Sequence, residues 1–159
     1  MIAVIGDSLC DAATAATAEE VGRRLAEAGV TVVCGGLGGV MEAACRGAKA
    51  AGGQTVGILP GDRANDANPF VDIAIVTGMG EARNVLVVKS ADGAIAVGGR
   101  YGTLSEIALA LKLGKPVVGI RSWQLATAAG PDTGLVPADS PADAVALILA
   151  MIAGGNARG

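Results

Sequence analysis

Histidine is absent from the 159 residues, and that one gap removes a large part of enzyme chemistry. Ser-His-Asp and Cys-His nucleophilic machines need an imidazole, and so do nearly all catalytic zinc sites. Aromatic residues make up only 2%, one each of Trp, Tyr and Phe, so the core has to be built from Val, Ile, Leu and Ala. Cysteine is scarce. Cys10, Cys34 and Cys45 fit no CxxC spacing, and their odd count argues against a disulfide framework. They read as small buried hydrophobes in a reducing compartment. No uncharged apolar run reaches the ~18 residues of a membrane span, and MIAVIGDS begins as a strand with no basic leader segment. The expectation is a cytoplasmic chain that engages no membrane. Charged residues are 17% with a formal net charge of -3, too few cations for nucleic-acid binding. Whatever chemistry exists must use carboxylates, arginines, hydroxyls and backbone amides.

Glycine, by contrast, is abundant at 25 residues, and many of the glycines fall where apolar runs end. Those runs alternate with helical patterns from end to end. Strands are expected at 2–6, 31–36, 55–61, 72–78, 93–99 and 115–120, with a last short one near 135–136. Helices are expected at about 14–28, 39–51, 79–90, 103–113 and 141–153. Continuous apolar strands joined by helices predict an α/β fold, a Rossmann-like, doubly wound and mostly parallel sheet with helices on both faces. One domain, 1–153, is expected, with 154–159 as a frayed tail. Ligands of such sheets bind outside the carboxyl ends of the strands, near the point where strand order reverses.

Four loops at those ends carry candidate chemistry. Gly6 lets a ligand approach the backbone after the first strand, and Ser8 offers a hydroxyl. Gly35, Gly36, Gly38 and Gly39 crowd the turn after the second strand, where bare amides and a helix N-terminus attract an anion. Their spacing matches neither a dinucleotide fingerprint nor a Walker loop. Arg83 falls in the first turns of the helix after the fourth strand, where a cation disfavours the helix and therefore suggests another role. Gly98, Gly99, Arg100 and Gly102 follow the fifth strand. Thr103 occupies the expected helix N-cap, and Thr103 with Glu106 also fits a capping box. Glu106 is thus either a capping partner or a ligand-facing carboxylate.

Taken together, GGLGGVMEAACRGAKAAGG, TVGILPG, TGMGEARN and GGRYGTLSEIALALKLGKPVV resemble the molybdenum cofactor carrier proteins. They also resemble the wider LOG-like phosphoribohydrolases, long mislabelled as lysine decarboxylases. The resemblance spans roughly residues 1–120, and the compact length and GKPVV ending look more like the carrier branch. It implies a homodimer or homotetramer and places Arg83 and Glu106 as the family's arginine–glutamate pair. Gly98 replaces the family's proline, and Arg100 replaces its second glycine.

Two functions follow as expectations. A carrier would hold the molybdenum cofactor as cargo, its phosphate on the glycine loops, and would need no cofactor for catalysis. A hydrolase would cleave the N-glycosidic bond of a nucleoside 5'-monophosphate, with Glu106 at the ribose and Arg83 at the phosphate. A pyridoxal-phosphate decarboxylase is disfavoured because Lys49, Lys89, Lys112 and Lys115 all fall away from the loops. No metal site is expected.

Overall fold

The computed structural model describes residues 1–156. Seven strands form one sheet in which every pairing is parallel: β1 (Ile2–Gly6), β2 (Val32–Cys34), β3 (Thr55–Leu59), β4 (Ile73–Val76), β5 (Gly93–Val97), β6 (Val117–Ile120) and β9 (Leu135–Pro137). Their order is β4-β3-β2-β1-β5-β6-β9. The chain winds outward on one side as far as β4, then returns to the centre and winds outward on the other. The reversal lies between β1 and β5, paired from Ile2↔Gly93 to Gly6↔Val97, and a crevice opens beyond their carboxyl ends.

Five helices cover the sheet: α1 (Ala12–Glu27), α2 (Val40–Ala50), α3 (Asn84–Ser90), α4 (Tyr101–Lys112) and α5 (Pro141–Asn156). Alternate strand residues feed two cores. Ile2, Val4, Ile95 and Val97 pack beneath α1, α2 and α5, whereas Ala3, Ile5, Ala94 and Ala96 pack against α3 and α4. Both faces are buried, which explains the near-continuous apolar strands. Backbone contact brings α1 and α2 together: a Cβ on Gly22 would overlap the Ala44 carbonyl, and one on Gly47 the Glu19 carbonyl. α1 starts where the Asp11 side chain accepts from the Thr14 amide at 2.7 Å, an N-cap that satisfies an otherwise orphaned donor.

Several expected boundaries shift. The helix expected at 79–90 is a 3₁₀ turn over Gly80–Arg83 followed by α3. α4 begins two residues early, at Tyr101 with Arg100 as N-cap, so Thr103 lies inside the helix and forms no capping box. An antiparallel hairpin, β7 (Leu125–Thr127) with β8 (Gly130–Asp132), was not expected. Its strands are three residues long, and Gly130 and Pro131 disguise the alternation. α5 runs on to Asn156, past the expected end of the folded domain; 157–159, the rest of the expected frayed tail, lie outside the described residues. No helix among the described residues is long and apolar enough to cross a membrane. Cys34 and Cys45 are buried with their sulfurs 3.5 Å apart, and Cys10 is half-buried.

Candidate functional site

A cleft of about 360 Å³ opens at the reversal point, with Gly6, Ser8, Gly35, Arg83, Gly102, Thr103 and Glu106 among its lining residues. These candidates, scattered over a hundred positions of sequence, meet because β1, β2 and β5 end side by side. The Gly35 carbonyl accepts from Arg83 Nη2 at 3.2 Å, and Asn84 Oδ1 accepts from Nη1 at 2.7 Å. A Cβ on Gly35 would stand 2.5 Å from Arg83 Nη2, so glycine there is what lets the guanidinium lie against the backbone.

Arg83 and Glu106 are buried, 7% and 6% exposed, and face one another across 3.9 Å. That spacing is at the outer limit of an ion pair. Arg83 Nε is buried with no hydrogen-bond partner. Burial pushes the Glu106 carboxyl up to about 7, outweighing the pull of the guanidinium. Burial likewise lowers the Arg83 pKa from its ordinary value, against the opposing effect of Glu106. Two buried ionisable groups, one with an unsatisfied donor, sit together in the cleft. A buried, perturbed pair in a cleft is a candidate functional site.

The remaining candidates divide into two groups. Gly36, Gly38 and Gly39 do not line the cleft; they shape its wall. The Gly36 carbonyl accepts from the Asn68 amide at 2.9 Å, and a Cβ on Gly38 would stand 3.2 Å from the Ser8 carbonyl. Gly39 has φ +62° as the N-cap of α2, and a Cβ there would collide with the Asp7 carbonyl. Gly98, Gly99 and Arg100 line an adjoining hollow of about 390 Å³ rather than the cleft itself. Arg100 has extended backbone, φ -109°, so the loss of the family glycine costs no strain there. Its side chain is 84% exposed and leaves the cleft open.

Asp7 was missed. It lines both cavities, its Oδ1 accepts from the Arg100 amide at 3.0 Å, and its Oδ2 lies 3.7 Å from Arg100 Nε. The signal was a charged residue directly after the central strand, where an apolar or turn residue would serve packing equally well. Glu81, Asn84, Pro60 and Met41, with the apolar Val4, Ile5 and Leu37, complete the lining without any pattern that would have singled them out. The four lysines considered for a Schiff base lie elsewhere: none borders the cleft, Lys49 pairs with Asp72, and Lys115 donates to carbonyls at the end of α3.

Known proteins share this sequence pattern and this fold. The model of the SLOG cluster4 family matches residues 1–145. An uncharacterized protein of Archaeoglobus fulgidus is 54% identical over 121 residues, 76% of this chain and 79% of that one. The molybdenum cofactor binding protein of the phototrophic bacterium Rippkaea orientalis superposes with a TM-score of 0.85 at 38% identity, covering 95% of this chain and 96% of the other. The molybdenum cofactor carrier protein of Chlamydomonas reinhardtii gives 0.85 at 37% identity, covering 96% and 97%.

Proposed function

The chain belongs to the SLOG cluster4 family, and from that premise we propose that its cleft binds and carries the molybdenum cofactor, a pterin bearing a phosphate. The observation that carries the proposal is the near-complete, end-to-end likeness to two proteins named for binding or carrying that cofactor. The site is consistent with such cargo. The phosphate would be received by the first-turn amides of α4 at Gly102 and Thr103, where the helix dipole favours an anion. Arg83 supplies the positive charge and its unpaired Nε donor. Ser8 supplies a hydroxyl on the opposite wall. A carrier needs affinity and shielding from water rather than a proton relay. The same proposal includes a cytoplasmic location and a homodimer or homotetramer.

The test is direct loading. Protein purified from cells that make the cofactor is analysed for molybdenum by mass spectrometry and for pterin by oxidation to its fluorescent derivative. Stoichiometric recovery of both, lost in Arg83→Ala, is the expected result; recovery unchanged in that variant, or absent from wild type after loading, overturns the proposal.

One observation favours a second reaction. A carboxyl raised to about 7 beside a guanidinium suits a group that engages ribose hydroxyls and assists cleavage of an N-glycosidic bond. Nucleoside 5'-monophosphates would then be substrates. Free base released from AMP by wild type but not by Glu106→Gln would establish that activity, and no release from either would dismiss it.

A further inference from the structure

Two of the three aromatic residues of the chain touch each other at the rim of this site. Tyr101 and Trp123 lie with ring centroids 5.7 Å apart and planes tilted by 39°. Tyr101 is the first residue of α4 and is 80% exposed. Tyr101 stands on the loop between Arg100, which lines the hollow, and Gly102, which lines the cleft, and its own ring lines neither cavity. Trp123 reaches the same loop from beyond β6, donating its indole N–H to the Arg100 carbonyl at 3.3 Å. It leans on the core from its other side. A chain that builds its core without aromatics has no packing use for a ring that is left in solvent. The hydrogen bond and the core contact hold Trp123 in place, and Trp123 in turn gives Tyr101 a fixed neighbour.

We propose that Tyr101, backed by Trp123, is a stacking platform for the planar fused heteroaromatic ring of the ligand whose phosphate enters the cleft. The proposal rests on the cleft being a phosphate site, as argued above. It adds a second subsite that reads the ring, and so separates ring-bearing phosphates from simple sugar phosphates. A fused pterin or purine ring offers a broad π face to the tyrosine, and stacking of this kind tolerates differences in ring substituents.

Isothermal calorimetry with neopterin monophosphate, AMP and ribose 5-phosphate tests this. Wild type is expected to bind each ring-bearing phosphate at least tenfold more tightly than ribose 5-phosphate. Tyr101→Leu should weaken the ring-bearing ligands five- to tenfold and change ribose 5-phosphate less than twofold, while Tyr101→Phe keeps all affinities within twofold. Because Tyr101 is exposed, its melting temperature serves as the control for folding, and Trp123→Leu should follow the same pattern more weakly. Equal affinity for the three ligands in wild type, or equal losses for all three in Tyr101→Leu, overturns the platform and leaves the phosphate site standing. Absence of binding by all three overturns both.

Discussion

The loop after β2 and the loop after β5 are both rich in glycine, yet the glycines serve different ends. After β2 they are demanded by the protein itself. Gly35 makes room for the Arg83 guanidinium, and Gly39 combines φ +62° with contact against the Asp7 carbonyl. After β5 the demand is split: Gly98 and Gly99 hold φ +60° and +112°, and a Cβ on Gly99 would stand 2.6 Å from the Thr103 side chain, whereas Gly102 meets nothing within 4 Å of where a Cβ would stand. The first loop is packed wall; the second becomes an open rim only at Gly102. Glycine count alone hides this difference, and only the surroundings of each position reveal it.

Substitutions should separate the two loops. Gly39→Ala is expected to be the most damaging, about 3 kcal/mol of stability from a left-handed backbone and a main-chain clash, read as a lowered denaturant midpoint. A loss below 1 kcal/mol would show that the wall can yield. Next is the pH dependence contributed by Glu106, which α4 presents to the arginine held by the first loop. Its folded pKa of about 7 lies above the ordinary 4.5. The folded state therefore retains a proton that the unfolded chain releases, and the contribution is full below about 4.5 and lost as pH rises through about 7. Wild type should lose on the order of 2 kcal/mol across that window relative to Glu106→Gln; parallel stability profiles for the two proteins would contradict the burial effect. Glu106→Gln should also keep ligand affinity within about tenfold, roughly 1.4 kcal/mol, as calorimetry can check. The smallest effect belongs to the rim. Gly102→Ala, in the first turn of α4 with free space around it, should raise stability by about 0.5 kcal/mol while lowering affinity for a phosphate-bearing ligand. Unchanged affinity would mean that the ligand does not approach this backbone.

Much of this was legible beforehand. Apolar runs of five residues with β-branched side chains announced β1, β3 and β5, and the glycine clusters marked where those strands stop. Arg83 stood out because a cation at a helix start is electrostatically misplaced. What escaped notice depends on tertiary partners. Thr103 and Glu106 satisfy the spacing of a capping box, but the helix begins at Tyr101, and the hydrogen bonds of a cap never form. Gly22 and Gly47 look like ordinary helix residues until α1 and α2 are seen to touch through their backbones. Asp7 carries only the weak signal of a charge after the central strand, and its partner, the Arg100 amide 93 positions away, is visible only in the fold. The β7–β8 hairpin carries too few residues to establish a periodicity.

The pairing of β1 with β5 has a consequence for how the molecule forms. The two strands that frame the cleft are about ninety residues apart in sequence, and a loop of that length has to close for them to meet. Contacts of such long separation close late and slow the search for the native topology. During synthesis, Arg83 emerges from the ribosome well before Glu106, so a half-made chain has the guanidinium without its carboxylate. Ligand-binding competence therefore depends on that pairing, because the cleft has residues from both sides of it. A ligand present during refolding should slow unfolding without accelerating that late pairing, because the surface it recognises does not exist until the pairing is done.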